Sequence, residues 1–278
     1  MPRIFRHWML WPALAMLLVF FLMPSVDILR ASVMDPELTF RHFERFLERA
    51  VYMRVLWHTV EVSFVVAIVC AVIAYPVAYF IVQSPRRVQF LLLLLIFIPL
   101  WMSILIRSYA WMVVLGREGV INSLLMGAGL IETPVRMLFT TPAVYVAMIQ
   151  ILLPIQIVTC YSAMSDIDLG LVRAARVLGA SPWEATRRVF IPLSLDGTIT
   201  GMIIVFMLSM GFFITPALLG GRRDLLLANL IEFNVTQLNW GFAAAIALML
   251  LLAAIVGIVV IRLAARLLLR ALNGALAR

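Results

Sequence analysis

The side chains that most often do chemistry in proteins are few and scattered in this sequence. The three histidines, His7, His42 and His58, lack the spacing of metal ligands. The two cysteines, Cys70 and Cys160, both lie in apolar runs, where an unpaired cysteine behaves as a small apolar side chain. No pair of carboxylates and no nucleophile beside a base stands out. The sequence therefore predicts no catalytic site, no metal site and no cofactor.

Lysine is absent from the chain, and all 22 basic residues are arginine. A phosphate-binding loop of the GxxxxGK[ST] type needs a lysine that reaches the terminal phosphates of the nucleotide. This chain cannot supply such a loop, so any nucleotide hydrolysis would have to come from a partner.

Polar and aromatic side chains inside apolar runs form a second group of candidates. An ionised group at the centre of a bilayer costs at least about 2.5–3.5 kcal/mol, so such groups suggest function. Glu61 would either reach interfacial water or lie beside a path for a cationic solute, and Arg107 is expected to extend outward to the membrane surface. Aromatic rings could stack on an ammonium group or pack against lipid. The candidates for the lining of a translocation path are Glu61, Trp101, Tyr109, Gln150, Gln156 and Phe212.

Long apolar helices must position these side chains. The chain is 64% hydrophobic and 13% charged, with a mean hydropathy of +1.08, which excludes an ordinary soluble domain. About 20 apolar residues cross a hydrocarbon core of roughly 30 Å. We predict an all-α, polytopic membrane protein with six transmembrane helices. They are drawn at Trp8–Leu29, Trp57–Val82, Phe90–Met112, Thr141–Met164, Gly197–Leu219 and Trp240–Leu263.

The distribution of charge predicts the orientation. If the N-terminus is inside, the inner segments hold 12 of the 22 arginines but only four of the 14 acidic residues. The whole net charge of +8 then falls on one side. Arg86 and Arg87 lie in a very short loop, and the tail after Ile261 is rich in arginine. Because basic residues concentrate in inner loops, both termini are predicted to be cytoplasmic.

The segment Arg30–Arg54 on the outer side is predicted to contain an amphipathic helix. Apolar residues recur there at helical spacing, with charged residues on the other face. The apolar positions are Phe40, Phe43, Leu47, Ala50 and Val51, and the charged ones are Arg41, Glu44, Arg45 and Glu48. The segment would lie on the outer leaflet or form a docking surface for an external partner.

The loop between the fourth and fifth spans contains a helix followed by a sharp turn. Its first helix carries a narrow stripe of small and apolar residues at spacings of three and four: Leu171, Ala174, Ala175 and Leu178. Gly179 follows, where a residue with left-handed backbone conformation would end the helix. The two adjacent alanines would let another backbone approach closely, so this stripe predicts a docking helix.

A capping box predicts the start of a second short helix in the same loop. Ser181 would be the N-cap, Pro182 the first helical residue and Glu184 the third, while Pro192 would end the helix. A helix-turn-helix that reads DNA is disfavoured because the bilayer tethers both ends of the loop, and no nucleic acid partner is expected.

This loop resembles that of the permease subunits of bacterial ABC importers. The pattern A-A-x-x-x-G runs here from Ala174 to Gly179 and is followed by Ile191-Pro192-Leu193. The stretches "PLWMSILIRSYAWMVVLGREGVINSLL" (99–125), "MGFFITPALLGGRRDLLLANLI" (210–231) and "ELTFRHFERFLERAVYMRVLWHTV" (37–60) are similar to the spermidine/putrescine-type subgroup. The resemblance covers nearly the whole chain and implies the permease fold of type I ABC importers.

The resemblance also implies partners and a mechanism. In that family the first helix of the loop docks in a groove of the ATPase and transmits its closure to the spans. Ala174, Ala175 and Gly179 would take the coupling positions, with Ser181, Pro182, Glu184 and Pro192 shaping the loop. Arg173 departs from the family, which usually has glutamate before the two alanines. The implied partners are ABC ATPase subunits, a second homologous permease, an external (periplasmic) solute-binding protein and the lipid of the bacterial inner membrane.

Three parts of the chain follow from these predictions. Residues 1–54 would form an N-terminal anchor with the external amphipathic segment, residues 55–263 the permease domain with its coupling loop at 165–196, and residues 264–278 a basic cytoplasmic tail. The expected function is ATP-driven import of a small solute, with a polyamine such as spermidine or putrescine implied by the subgroup. Another small solute is the alternative. An ion-coupled secondary transporter and a non-transporting membrane anchor are the rivals from other classes. A secondary transporter would need ionisable groups near the midplane and often has internal repeats, and the sequence shows neither.

Overall fold

The computed structural model describes residues 11–35 and 37–276, and nearly all of them are helical. The helices are α1 (Trp11–Leu17), α2 (Met23–Val33), α3 (Arg41–Glu48), α4 (Ala50–Gln83), α5 (Arg86–Phe97), α6 (Ile104–Val114), α7 (Val120–Gly127), α8 (Thr141–Ser165), α9 (Leu169–Val177), α10 (Pro182–Ala185), α11 (Ile191–Met210), α12 (Ile214–Leu219), α13 (Leu227–Thr236) and α14 (Trp240–Leu276). Turns of π-helix at Leu18–Leu22 and Thr186–Phe190 join α1 to α2 and α10 to α11. The strands β1 (Met34–Asp35) and β2 (Glu37–Leu38) form a short antiparallel hairpin. The predicted start of the first span at Trp8 and the last two residues of the tail lie outside the described residues.

Within residues 11–35 and 37–276, five helices are long and apolar enough to cross a membrane. They are Leu14–Val33, Ala50–Gln83, Thr141–Ser165, Pro182–Met210 and Trp240–Leu267. A sixth crossing exists if Arg86–Trp101 and Ile104–Val114 count as one broken span. The predicted all-α membrane architecture is therefore confirmed.

The predicted third span, Phe90–Met112, is not one continuous helix. The chain bends by 96° between Arg86–Trp101 and Ile104–Val114. The bend follows a 3-10 turn at Ile98–Trp101 that contains Pro99, and Ser103 then caps α6 by accepting a hydrogen bond from the Leu105 N–H at 3.3 Å. Because proline removes a helical donor and Ser103 supplies a new N-cap, the helix ends and restarts at an angle.

Helices α4, α8 and α11 form the centre of the bundle. Their shared core contains small residues, including Ala67 and Cys70, beside the larger Met148 and Phe206. Close approach is visible at Gly197 on α11, where an added Cβ would overlap the Cβ of Ala163 on α8. Small residues at such contacts are typical of helices packed within a membrane, where tight fit replaces the hydrophobic effect.

Two further clusters mark opposite ends of α8. Ile81, Met164 and Phe190 pack together at its C-terminal end, with Leu92 and Leu93 of α5 against them. At its N-terminal end Leu115, Ala143, Ala147 and Leu219 form a separate cluster. The broken pair α5–α6 thus begins beside one end of α8 and finishes beside the other.

The predicted outer amphipathic segment contains helix α3, and it packs through a face that the sequence pattern did not indicate. His42 and Phe46 are buried, and the guanidinium carbon of Arg45 lies 4.3 Å from the centre of the Phe242 ring on α14. Phe40 and Leu47, assigned to the apolar face, are exposed. The reason is that α3 packs on α14, where the Phe242 ring attracts the cation of Arg45 as well as contacting apolar groups.

The predicted fifth span, Gly197–Leu219, is interrupted near its end. Helix α11 stops at Met210, and Gly211–Phe213 lead into the separate six-residue helix α12. Asn229 on α13 holds this break by donating a hydrogen bond from its side-chain amide to the Phe213 carbonyl at 2.7 Å. An irregular backbone is tolerated at this depth because a neighbouring side chain satisfies it.

Candidate coupling loop and translocation surface

Helix α9 has caps at both ends. Asp168 is the N-cap, accepting a hydrogen bond from the Gly170 N–H at 2.7 Å, so the helix begins two residues before Leu171, the first residue of the stripe. At its other end Gly179 has φ +97°, and the Ala180 N–H donates to the Ala175 carbonyl at 3.1 Å. This six-to-one bond with a left-handed residue is the Schellman motif, and the predicted stop at Gly179 is confirmed.

The capping box of α10 is formed as predicted. The Glu184 N–H donates to the Ser181 hydroxyl at 3.2 Å, and the Ser181 N–H donates to the Glu184 carboxylate at 3.0 Å. Pro182 occupies the first turn. The two caps fix the angle at which α9 leaves the bundle.

Pro192 does not end the second helix, which corrects the prediction. The chain stays helical from Pro182 to Met210, and Pro192 lies in the first turn of α11. The π turn before it explains this, since the Ile191 N–H bonds to the Thr186 carbonyl, five residues back. Widening the turn relieves the clash between the proline ring and the preceding carbonyls. The loop is therefore continuous with the fifth span.

The loop exposes apolar side chains on its outer surface. Val177 and Leu178 are each 88% exposed, and Leu171 and Trp183 are also exposed. We call these four residues the loop patch. Contiguous apolar groups at the surface mark interaction sites, and an isolated chain has no reason to display them in water. Ala174 and Arg173 are exposed beside the patch, whereas Ala175 is half-buried.

The candidate path residues separate into two groups. Trp101 is 90% exposed, while Glu61 and Tyr109 are also exposed and Gln150 is half-buried. Gln156 is fully buried, donating from its side-chain amide to the Thr198 carbonyl at 3.1 Å, and Phe212 is buried in the core. In this conformation neither buried residue can contact a solute. The burial of Gln156 could not be predicted, because the local sequence does not show which face of α8 packs on α11.

Arg107 is buried, contrary to the expectation that it extends to the membrane surface. Its side chain donates a hydrogen bond to the Ile151 carbonyl on α8 at 3.3 Å. On the same face of α6, Ser108 bonds to Thr215 at 3.0 Å and the Trp111 indole N–H donates to Gln150 at 3.2 Å. The short helix after the break is thus held by three polar contacts. The sequence signal for these contacts was the placement of polar residues on α6 at adjacent positions and one turn apart.

Two buried polar residues of the loops between spans were missed by the sequence reasoning. Asp224 accepts hydrogen bonds from Thr141 at 2.6 Å and from the Gly221 N–H at 2.7 Å. Asn122 donates to the carbonyls of Gly116 and Val135, each at 3.0 Å. Both tie long-range backbone segments together, so their role depends on contacts that no local pattern reveals.

Comparison with known proteins places this fold in one family. Residues 63–272 match the binding-protein-dependent transport system inner membrane component family. The spermidine/putrescine transport system permease protein PotB of Escherichia coli (strain K12) is 34% identical over 238 residues, which is 82% of this chain and 86% of that protein. The Haemophilus influenzae protein of the same name is 34% identical over 242 residues, covering 84% of each chain.

Solved structures show the same architecture. A bacterial alginate ABC transporter, in complex with an alginate pentasaccharide-bound periplasmic protein, contains a chain with a TM-score of 0.74 at 18% identity, covering 92% of both chains. The MetNI methionine ABC transporter in an inward-facing conformation gives a TM-score of 0.56 at 20% identity, covering 79% of this chain and 95% of the other. The chain therefore belongs to the family of binding-protein-dependent transport system inner membrane components, and it is the permease subunit of an importer of the ABC type.

Proposed function

We propose that this permease carries a polyamine, such as spermidine or putrescine, across the bacterial inner membrane. The observation that carries the proposal is the similarity to two spermidine/putrescine permeases over more than four fifths of the chain. The proposed importer also contains a second homologous permease, two ATPase subunits and an external solute-binding protein. ATP hydrolysis belongs to the ATPase subunits, and the permease changes conformation.

The exposed surface offers groups that suit a cationic solute. Glu61 on α4 presents an exposed carboxylate. Trp101 and Tyr109 offer exposed rings on which an ammonium group can stack. A carboxylate and aromatic faces are the two kinds of group that bind alkylammonium ions. We propose Glu61, Trp101, Tyr109 and Gln150 as the path, and we leave out the buried Gln156 and Phe212.

The substrate is tested by uptake. The complete importer is expressed in cells that lack other polyamine uptake, and entry of radiolabelled putrescine and spermidine is measured with and without the binding protein. We expect ATP-dependent uptake of at least one of them. Absence of uptake of both by a correctly assembled importer, with a different ligand on its binding protein, would identify another solute.

A matched pair of variants tests the path. We expect Glu61→Gln to raise the KM of uptake because it removes the exposed carboxylate. Glu132→Gln, at an exposed carboxylate in the segment before α8, should leave uptake unchanged. Equal uptake by both variants and the parent would remove Glu61 from the path.

The loop is proposed as the ATPase docking site, supported by the exposed loop patch. Leu178→Glu places a charge in the proposed interface and should abolish co-purification of the ATPase. Leu130→Glu is the matched control, because Leu130 is 71% exposed and precedes α8, whereas the loop follows it. Co-purification undiminished in the Leu178→Glu variant would show that the ATPase docks elsewhere.

A further inference from the structure

A groove of about 290 Å³ lies between α11 and α14, beyond the point where the two helices touch. At that point the ring of Phe206 covers Gly257, where an added Cβ would clash with it. From there toward the end of α14 the groove is walled by apolar side chains and edged by polar ones. Its lining consists of Asp196, Ile199, Thr200, Ile203, Ile204, Arg262, Ala265, Arg266 and Leu269.

The arginines of the groove lie at the depth of lipid headgroups. From Trp240 to Ile261 helix α14 has 22 uncharged residues, which rise about 33 Å at 1.5 Å each. This length matches the hydrocarbon core of about 30 Å, so Arg262 is the first charge beyond it. Asp196 marks the same boundary on α11, since Gly197 to Met210 is uncharged.

The two guanidinium groups are available to a ligand. Arg262 and Arg266 are four residues apart on one face of α14, and both are exposed. The one described ion pair joins Arg188 to Glu184, so within residues 11–35 and 37–276 neither groove arginine is neutralised by an acid. Two arginines and one aspartate give the groove a net charge of +1, which the single negative charge of a phosphodiester balances.

We infer that this groove binds an anionic phospholipid, with its phosphate between Arg262 and Arg266 and an acyl chain along Ile199, Ile203 and Ile204. Arginine binds phosphate through paired N–H donors, and basic pockets between transmembrane helices suit anionic headgroups. Phosphatidylglycerol fits best because its headgroup hydroxyls can donate to Asp196 while its phosphate supplies the compensating charge. A zwitterionic phospholipid would leave the groove with its excess positive charge. Lipid binding here is independent of the transported solute and of the direction in which the chain crosses the membrane.

The test compares two lipids on the full-length chain. The protein is purified in a non-ionic detergent and titrated with phosphatidylglycerol or phosphatidylethanolamine of identical acyl chains, and bound lipid is counted by native mass spectrometry. We expect one phosphatidylglycerol to bind about tenfold more tightly than phosphatidylethanolamine. Equal binding of the two lipids overturns the inference. Displacement of the bound phosphatidylglycerol by a large excess of inorganic phosphate also overturns it, because the acyl chain would then contribute nothing to binding.

Variants locate the site. The double variant Arg262→Gln/Arg266→Gln should lose the preference for phosphatidylglycerol. Arg86→Gln/Arg87→Gln removes the same charge from the first turn of α5 and should keep the preference. If both double variants lose the preference for phosphatidylglycerol, the lipid is attracted by unspecific charge. If both keep it, Arg262 and Arg266 do not bind it. Either result contradicts lipid binding in the groove.

Two single variants guard against misfolding of the double variant. Ile203→Trp fills the groove without changing its charge and should weaken phosphatidylglycerol binding. Asp196→Asn keeps an oxygen that can accept from the headgroup hydroxyls but removes the opposing negative charge, so it should strengthen phosphatidylglycerol binding several-fold. Unchanged binding in the Ile203→Trp variant, or weaker binding in Asp196→Asn, would overturn the proposed placement of the lipid.

Discussion

Gly179 shows how one backbone conformation can determine the direction of the loop. Its φ of +97° lies in the region that residues with a Cβ rarely adopt, yet an added Cβ would meet no atom within 4 Å. A substitution there would therefore act through conformational strain of about 1–3 kcal/mol and not through a clash. The strain would be relieved by rotating the chain between α9 and α10, which would change the direction of α9, the proposed docking helix.

We expect Gly179→Val to reduce solute uptake and ATPase co-purification severely, while the protein remains inserted and folded. Gly127→Val is the control, because a Cβ at Gly127 also meets open space but the backbone there is helical. Uptake is measured for both variants at matched expression. Normal uptake by Gly179→Val would mean that the left-handed turn is dispensable.

Arg173 is the residue at which the chain departs from the glutamate usual in its family. It is exposed at the edge of the loop patch, and no described acid forms an ion pair with it. An ion pair at the rim of an interface contributes about 0–1 kcal/mol. We therefore expect Arg173→Ala to weaken ATPase association modestly and Arg173→Glu to weaken it more, if the ATPase presents a carboxylate there.

The measurement for Arg173 is ATPase co-purification over a range of salt concentrations. Salt screens exposed charges, so the difference between the two variants should shrink as salt rises. If Arg173→Glu associates as well as the parent at low salt, Arg173 faces only solvent.

The caps of the loop were predictable because each depends on a few consecutive residues. Gly179 and the box formed by Ser181 and Glu184 are determined locally, and the structure has both. Gln156 and Arg107 were harder to interpret because their environment depends on the rotation of α8 and α6 against their neighbours. In an apolar helix the hydrophobic pattern does not distinguish a face toward lipid from a face toward another helix.

At the scale of elements, the continuity of α10 with α11 gives the loop a mechanical connection to the bundle. If the second loop helix had ended at Pro192, a flexible hinge would have joined it to the fifth span. The π turn instead keeps the chain helical from Pro182 to Met210. A movement imposed on the loop would therefore be transmitted to α11, and α11 packs on both α4 and α8.

The contact between α8 and α11 beside the loop depends on Gly197. Gly197→Ala would place its Cβ on that of Ala163, and such overpacking costs about 1–3 kcal/mol. We expect a lower melting temperature for Gly197→Ala and recovery in the double variant Gly197→Ala/Ala163→Gly, measured on purified protein. The coupling between the two substitutions is the diagnostic quantity. Additive effects would mean that the helices do not touch at this point.

At the scale of the whole molecule, the number of crossings decides on which sides the termini lie. The sequence predicted six spans, but the third is broken, and a re-entrant loop at α5–α6 would leave five. The packing favours a crossing, because Leu92 and Leu93 contact the cluster at the C-terminal end of α8, whereas Leu115 packs at its N-terminal end. Six crossings would bring both termini to one side, and the excess of arginine favours the cytoplasm.

The last prediction therefore concerns topology. A phosphatase reporter that is active only outside the cytoplasm is inserted at Arg86, at the start of α5, or at Gly129, between α7 and α8, or it is fused after Arg278. With six crossings we expect activity at Gly129 and none at Arg86 or Arg278, since the broken pair α5–α6 separates Gly129 from the inner end of α5 at Arg86. An insertion at Ser165, at the end of α8, serves as the control and should be inactive. Inactivity at both Gly129 and Arg86 would place these loops on the same side and make α5–α6 re-entrant. Activity at Arg86, Ser165 and Arg278 together would reverse the whole orientation, and it would move the loop patch away from any cytoplasmic ATPase.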